Sequence, residues 1–187
     1  EKIAIVTHIH EDANWLLNMV ENLLSVTRIQ DQTSAVKKTD ESVEEIVSAA
    51  INRLKKRLPE ASVSVSVPDE LLILPMDAIL IEQVLINLLE NAIIHSQSRE
   101  PILFYVDDDD HNVTFHVKDY GIGIAPERLK DIFDGNSYIG NRESDSNKGM
   151  GIGLSICKTI ITAHNGTINA RNHEKGAEFY FTLPKGN

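Results

Sequence analysis

From Asp77 to Ser96 the chain reads "DAILIEQVLINLLENAIIHS", and the helical periodicity of this stretch constrains everything around it. Ile81, Val84, Leu85, Leu88 and Ala92 fall on one helical face, which has to be buried. Asn87, Glu90, Asn91, Ile94 and His95 fall on the neighbouring stripe. Amides and a carboxylate beside a buried face cost free energy unless they are paired. A solvated flank answers that need for a single polar stripe. A bound ligand answers it equally well, so both readings stand at this point.

The other segments alternate irregularly between helix and strand periods. Residues 3–29 read as one long helix in which Ile5, Ile9, Leu16, Met19, Leu23 and Val26 follow four-three spacing, widened by Leu17, Val20 and Leu24. A stripe that broad suits a multi-helix bundle. "QDQTSAVKK" breaks the period, so 31–38 is expected to be a linker running into a first strand. Ser42 and Glu45 have capping-box spacing and open a helix to about Leu58. "SVSVSV" predicts a strand with Val63, Val65 and Val67 on one buried face, and a short strand is expected at 71–74. Asp77 is placed to cap the asparagine-bearing helix. A hairpin (102–106 and 113–119), a short helix over 126–133, a polar segment at 134–148, a helix from Gly151 to about Ala163 and two strands follow. This order predicts an α/β (α+β) two-layer sandwich, a mixed sheet against helices, rather than a doubly wound sheet.

Composition excludes several classes. A formal net charge of −10 over 187 residues speaks against a nucleic-acid binder, which needs a basic face. One cysteine, Cys157, leaves no internal disulfide and reads as a packed thiol. No apolar run is expected to span a membrane, and no signal-peptide pattern is present. With Glu1 in place of a methionine, the sequence is expected to be a piece of a longer chain.

Two glycine-rich stretches carry the chemistry. "DYGIGIAP" ends a strand on Asp119 and turns through Gly121 and Gly123, where missing side chains let a ligand approach the backbone. "GMGIGL" places Gly149, Gly151 and Gly153, then Leu154, at the entrance to a helix, where bare N–H groups can hold phosphate. Each stretch alone is also an ordinary glycine turn. No Gly-Lys-Ser/Thr is present, and the second stretch follows a polar loop rather than a strand, so neither the Walker nor the dinucleotide pattern applies.

In that order, the asparagine helix, the Asp-Gly-Gly turn and the glycine-rich helix entrance resemble the ATP-binding domain of sensor histidine kinases, within the gyrase, Hsp90, histidine kinase and MutL superfamily. "WLLNMVENLLSVTRI" resembles the second dimerisation helix of KdpD-type kinases, which sense potassium and osmotic stress. The resemblance implies three parts: a remnant of a dimerisation helix (1–30), a linker and first strand (31–38), and an ATP-binding domain (39–187). It implies ATP and Mg²⁺ as ligands, with Asn91 on the metal and Asn87 and Glu90 beside it as catalytic residues. Asp119 takes the adenine amine, Gly121 and Gly123 floor the adenine pocket, and Gly149, Gly151, Gly153 and Leu154 hold phosphate. His95 and Lys148 are the candidate cations near the phosphates, and 134–148 is the lid. A response regulator, a homodimer through the helical bundle and a cytoplasmic position in a membrane-anchored sensor follow from the same likeness.

The sequence also departs from the family pattern. Ile94 and His95 stand where a cation and a tyrosine are usual, Asn136 replaces a second aromatic, and Ala177 replaces a threonine expected to support Asp119. The acceptor motif His-Glu/Asp-Leu-Arg-Thr-Pro is missing, and His8 and His10 in "THIHED" lack its continuation. They read as surface or packing histidines, "DDDDHN" as a solvated hairpin turn, and His164 as part of a helix end closed by Gly166. A water-activating glutamate marks the ATPases of the superfamily at the position of Asn87, and asparagine cannot take a proton. A hydrolysing relative and a degenerate nucleotide-binding or scaffold module remain as alternatives.

Overall fold

The computed structural model describes residues 36–134 and 150–186, together with Ala13, Leu16, Val20 and Leu24. Those four isolated residues are helical and exposed, in keeping with the long N-terminal helix. The remaining positions of its stripe, with His8 and His10, lie outside the described residues.

The strands form two sheets. β1 (Thr39–Ser42) pairs antiparallel with β3 (Ile73–Met76). The main sheet has the order β2-β4-β5-β7-β6, formed by β2 (Val63–Ser66), β4 (Ile102–Asp108), β5 (Asn112–Lys118), β6 (Thr167–His173) and β7 (Gly176–Pro184). Only β2 and β4 run parallel within it, so the sheet is mixed, as the alternation of elements requires. Its inner face places Phe104, Val117, Phe179 and Ala170 side by side, with Val106, Phe115, Phe181 and Ile168 in the next row. Phe115 and Phe181 stack at 4.6 Å. Against this face lie α1 (Val43–Arg57), α2 (Ala78–Ser96) and α4 (Met150–Ala163); α3 (Pro126–Leu129) is a single turn beyond β5.

On the opposite face, the Glu178 carboxylate is buried beneath Tyr105, His116 and Arg171. It accepts from Tyr105 Oη and Arg171 Nε, each at 2.6 Å, and lies 2.9 Å from His116 Nδ1. Burial pushes its pKa up, but these three partners outweigh that and hold it down at about 2.

Several boundaries differ from the sequence expectation. The first strand begins at Thr39, outside the linker that was expected to contain it, and β3 lies two residues later than 71–74. Val65 is 41% exposed, because β2 is an edge strand that the helices do not cover there; only Val63 and Val67 are partly buried. By length and composition α2 could cross a membrane, contrary to the absence expected of any such run. Yet half of it is buried here as the central core helix. Pro126 opens α3, which stops at Leu129 rather than Phe133.

The two central helices are fastened to each other at one end. Asp77 Oδ1 accepts from the N–H groups of Ile79 and Leu80, capping α2. α4 ends in a Schellman motif: Asn165 takes the left-handed conformation (φ 64), Gly166 N–H donates to Ile161 C=O, and Asn165 N–H donates to Thr162 C=O. Thus Asn165 supplies the reversal, while Gly166 is needed because a Cβ there would lie 2.0 Å from Thr182 O. His164, fully buried, joins the two ends. Its Nδ1 donates to Ile160 C=O at 2.8 Å, and its Nε2 accepts from Asp77 N–H at 3.0 Å.

That pair of bonds requires a neutral ring. Burial lowers the His164 pKa, the Ile160 carbonyl pulls it back, and Lys38 adds to the lowering. The unfolded chain therefore binds a proton that the fold refuses, so stability is full above the ordinary histidine value of about 6.5 and falls as pH drops below it. Thermal melts from about pH 8 to about pH 5 should show a steeper acid loss for the wild type than for His164→Gln. Parallel slopes would move this pH dependence to other groups.

Candidate functional site

The Asp119 carboxylate is 5% exposed, one residue past the end of β5. Its Oδ1 accepts from Gly121 N–H at 2.8 Å and from Ala177 N–H at 3.3 Å. No described residue donates to Oδ2, which leaves a buried carboxylate oxygen with its capacity unused. The Asp119 backbone is pinned as well: its N–H donates to Ala177 C=O at 2.9 Å, and its C=O accepts from His173 Nε2 at 2.8 Å. Support for the carboxylate at position 177 thus comes from the main chain, which any residue supplies, so alanine suffices there.

Two glycines bring other parts of the chain to this carboxylate. A Cβ on Gly121 would lie 2.1 Å from Ser96 O, so the turn after β5 closes directly on the last turn of α2. His95 consequently sits at the Asp119 end of the site. Burial lowers its pKa, Arg128 lowers it further, and Asp119 opposes both. These effects favour the neutral ring and so weaken His95 as a substitute for the cation that Ile94 does not provide. Gly123 has φ 73, a conformation that side chains disfavour.

Midway along α2, Asn87 meets α4. A Cβ on Gly153 would be 3.8 Å from the Asn87 amide carbon, so the glycine-rich helix entrance and the asparagine stripe face each other. Asn87 Oδ1 accepts from Gln83 Nε2 at 3.2 Å, and the amide also hydrogen-bonds the buried Cys157 thiol. Asn91 is half-buried on the same stripe, and its side chain has no partner among the described residues.

Two expected site residues are placed elsewhere. Glu90 forms an ion pair with Arg57 of α1 at 3.2 Å, with its side chain only 14% exposed. Leu154 is 2% exposed and its side chain packs in the core, which leaves its main chain as the part able to meet a ligand. Lys148 and Gly149 lie outside the described residues. Gly151 is in the first turn of α4.

Comparison with known proteins bears on this arrangement. Residues 76–187 match the family described as histidine kinase-, DNA gyrase B- and HSP90-like ATPase. The chain belongs to that family. It is similar to the sensor protein KdpD of Clostridium acetobutylicum, with 42% identity over 98% of this chain and 21% of that one. KdpD of Escherichia coli K12 is 38% identical over 89% of this chain and 18% of the relative. The chain therefore spans about a fifth of the length of the curated relatives it matches. The catalytic domain of histidine kinase ThkA superposes with a TM-score of 0.67 at 28% identity, covering 79% of this chain and 95% of that domain.

Within this histidine kinase-type ATPase domain, sequence reasoning overlooked the tip of the β6–β7 hairpin. Asn172, His173 and Gly176 all touch the Asp119 turn. Gly176 in "EKGAE" was legible as a turn residue, but nothing local linked any of the three to a turn some fifty residues earlier. A Cβ on Gly176 (φ 152) would lie 2.3 Å from Asp119 O and 2.7 Å from Asp119 Oδ1. Gly176→Ala should therefore destabilise the fold by about 1–3 kcal/mol in denaturant titration. Gly186→Ala, whose Cβ would meet only the Pro75 ring at 3.4 Å, should stay within about 0.5 kcal/mol of the wild type.

Proposed function

We propose that this chain is the ATP-binding catalytic domain of a two-component sensor histidine kinase. It transfers the γ-phosphoryl group of Mg-ATP to a histidine on a dimerisation domain, and a response regulator receives it in turn. The observation that carries this reading is Oδ2 of the buried Asp119, to which no described residue donates, beside a turn that glycines keep open. An exocyclic amine is the donor such an oxygen lacks, and adenine presents one. Gly121 and Gly123 interpose no side chain between the base and the backbone. The triphosphate extends toward Asn87, Asn91 and the glycine-rich entrance of α4.

Asn91 fits a hard cation, because its amide oxygen has no protein partner among the described residues. Mg²⁺, when bound, neutralises phosphate charge. Asn87 orients groups and takes no proton. Hydrolysis would need a base, and Glu90 is held by Arg57, so transfer to an external histidine is favoured over attack by water. By likeness to KdpD, the full protein is a membrane-anchored homodimer responding to potassium or osmotic stress, with this domain on the cytoplasmic side. A non-catalytic nucleotide-binding module is the second reading, favoured by Ile94, whose exposed side chain offers phosphate no charge. Nucleotide titration with and without Mg²⁺ tests the binding that both readings require, and transfer of labelled γ-phosphoryl from ATP to a supplied acceptor-histidine domain separates the two.

Asp119→Asn distinguishes the base acceptor directly. The N–H groups of Gly121 and Ala177 require an acceptor at Oδ1, so the new amide would turn its NH₂ toward the adenine amine, donor against donor. ATP affinity should fall by about 1.5–3 kcal/mol in calorimetry while the melting temperature stays close to that of the wild type. Equal affinity would remove Asp119 from base recognition.

Ile94 is 56% exposed, so a lysine there can extend without disturbing the core. Ile94→Lys should tighten ATP binding by about 1 kcal/mol, the scale of a partly screened charge-assisted contact, and leave adenosine binding unchanged. A gain shared by both ligands, or absent for ATP, would show that position 94 does not meet phosphate.

A further inference from the structure

The turn from Asp119 to Ile124 has little of its own to hold it in shape. Ile122 near its apex is 78% exposed, so apolar packing does not fix it there, and Gly123 adds conformational freedom. Order comes from β6, the edge strand of the main sheet, whose outer backbone edge pairs with no strand among the described residues. Asn172 Oδ1 accepts from Ile124 N–H at 2.8 Å, and its Nδ2 donates to Ile124 C=O at 2.7 Å. One side-chain amide thus satisfies both backbone groups of Ile124, as a neighbouring strand would. A Cβ on Gly123 would come 3.0 Å from the same Oδ1, so the left-handed residue and the clamp are fitted to each other. Two residues further back, Gly121 N–H donates to Asp119 Oδ1 and fixes the rotation of the carboxylate. Next to Asn172, His173 holds Asp119 C=O and meets the Tyr120 ring edge-on at 5.8 Å between ring centres.

We propose that Asn172 is a positioning residue for base recognition: by clamping Ile124 it fixes the Gly121–Ile124 turn and so aims Asp119 Oδ2 at the bound base. This rests on the reading of Asp119 as the adenine acceptor. Asn172 does not touch the nucleotide. Its side chain is exposed, so replacing it leaves the core intact. An acceptor aimed at an amine favours adenine over guanine, which carries a carbonyl at the corresponding position. Asn172 should therefore govern nucleotide preference as well as affinity.

The test is a competition titration of ATP and GTP against wild type, Asn172→Ala, Asn172→Asp and Asp119→Asn, with amide hydrogen exchange at Ile124. Asn172→Ala should weaken ATP about tenfold, the equivalent of roughly 1.4 kcal/mol, and weaken GTP much less, so that the preference narrows. Exchange at Ile124 N–H should quicken. Asn172→Asp keeps the acceptor for Ile124 N–H but loses the donor to its carbonyl, so it should fall between alanine and wild type. An equal loss for ATP and GTP would mean general loosening and would overturn the positioning role. So would wild-type ATP binding by Asn172→Ala alongside impaired binding by Asp119→Asn. Wild-type binding by both Asn172→Ala and Asp119→Asn is a different pattern, which removes the base-acceptor reading and this proposal with it.

Discussion

Burying the Asp119 carboxylate is the constraint on which the rest of the site depends. A carboxylate taken out of water needs hydrogen-bond donors, and the fold supplies two main-chain N–H groups to one of its oxygens. That arrangement holds only if β5 and β7 keep their register, with Lys118 opposite Glu178, so that Ala177 arrives beside Asp119. It also forbids a side chain at position 176 and, through the closure of the turn on Ser96, at position 121. The stacked Phe115 and Phe181 and the apolar rows around them hold this register from the helix-covered face. A local polar requirement is thereby met by long-range packing.

The helix that carries the asparagines is positioned by its ends. At its start, Asp77 caps the first turn while its own N–H donates to His164, tying α2 to the end of α4. At its finish, Ser96 lies against Gly121. Between these points Arg53–Glu82 and Arg57–Glu90 link α2 to α1, but such partly exposed pairs add little energy. Buried contacts fix the placement of Asn87 and Asn91, and the ion pairs only trim it.

Local signals in the sequence revealed much of this and long-range ones did not. The stripe from Ile81 to Ala92, the Asp77 cap, the hairpin and the two glycine stretches were readable because each is defined within one or two turns of chain. Alternation predicts burial for Val65, but it reports only a strand's faces, whereas burial depends on whether anything covers them at the sheet edge. Leu154 adjoins the glycines in sequence, yet the packing of α4 places its side chain in the core. Glu90 shares the asparagine stripe in projection, and only the arrival of Arg57 from α1 shows where its charge is used. Asn172 carried no signal, since its partner is 48 residues away.

The surroundings of Asn87 bear on why the superfamily's glutamate would not be a simple replacement here. Its amide oxygen is taken by Gln83 and the same amide hydrogen-bonds Cys157, so the side chain is oriented from the protein side. Burial pushes the Cys157 thiol up to about 12, against the lowering effect of the Asn87 bond, so Asn87 is anchored on its core side by a neutral group. A glutamate at 87 would lose the amide donor that Asn87 presents and would alter the packing between α2 and α4, where Gly153 faces this side chain. A general base needs an environment that accepts its charge, and this one is built around a neutral amide.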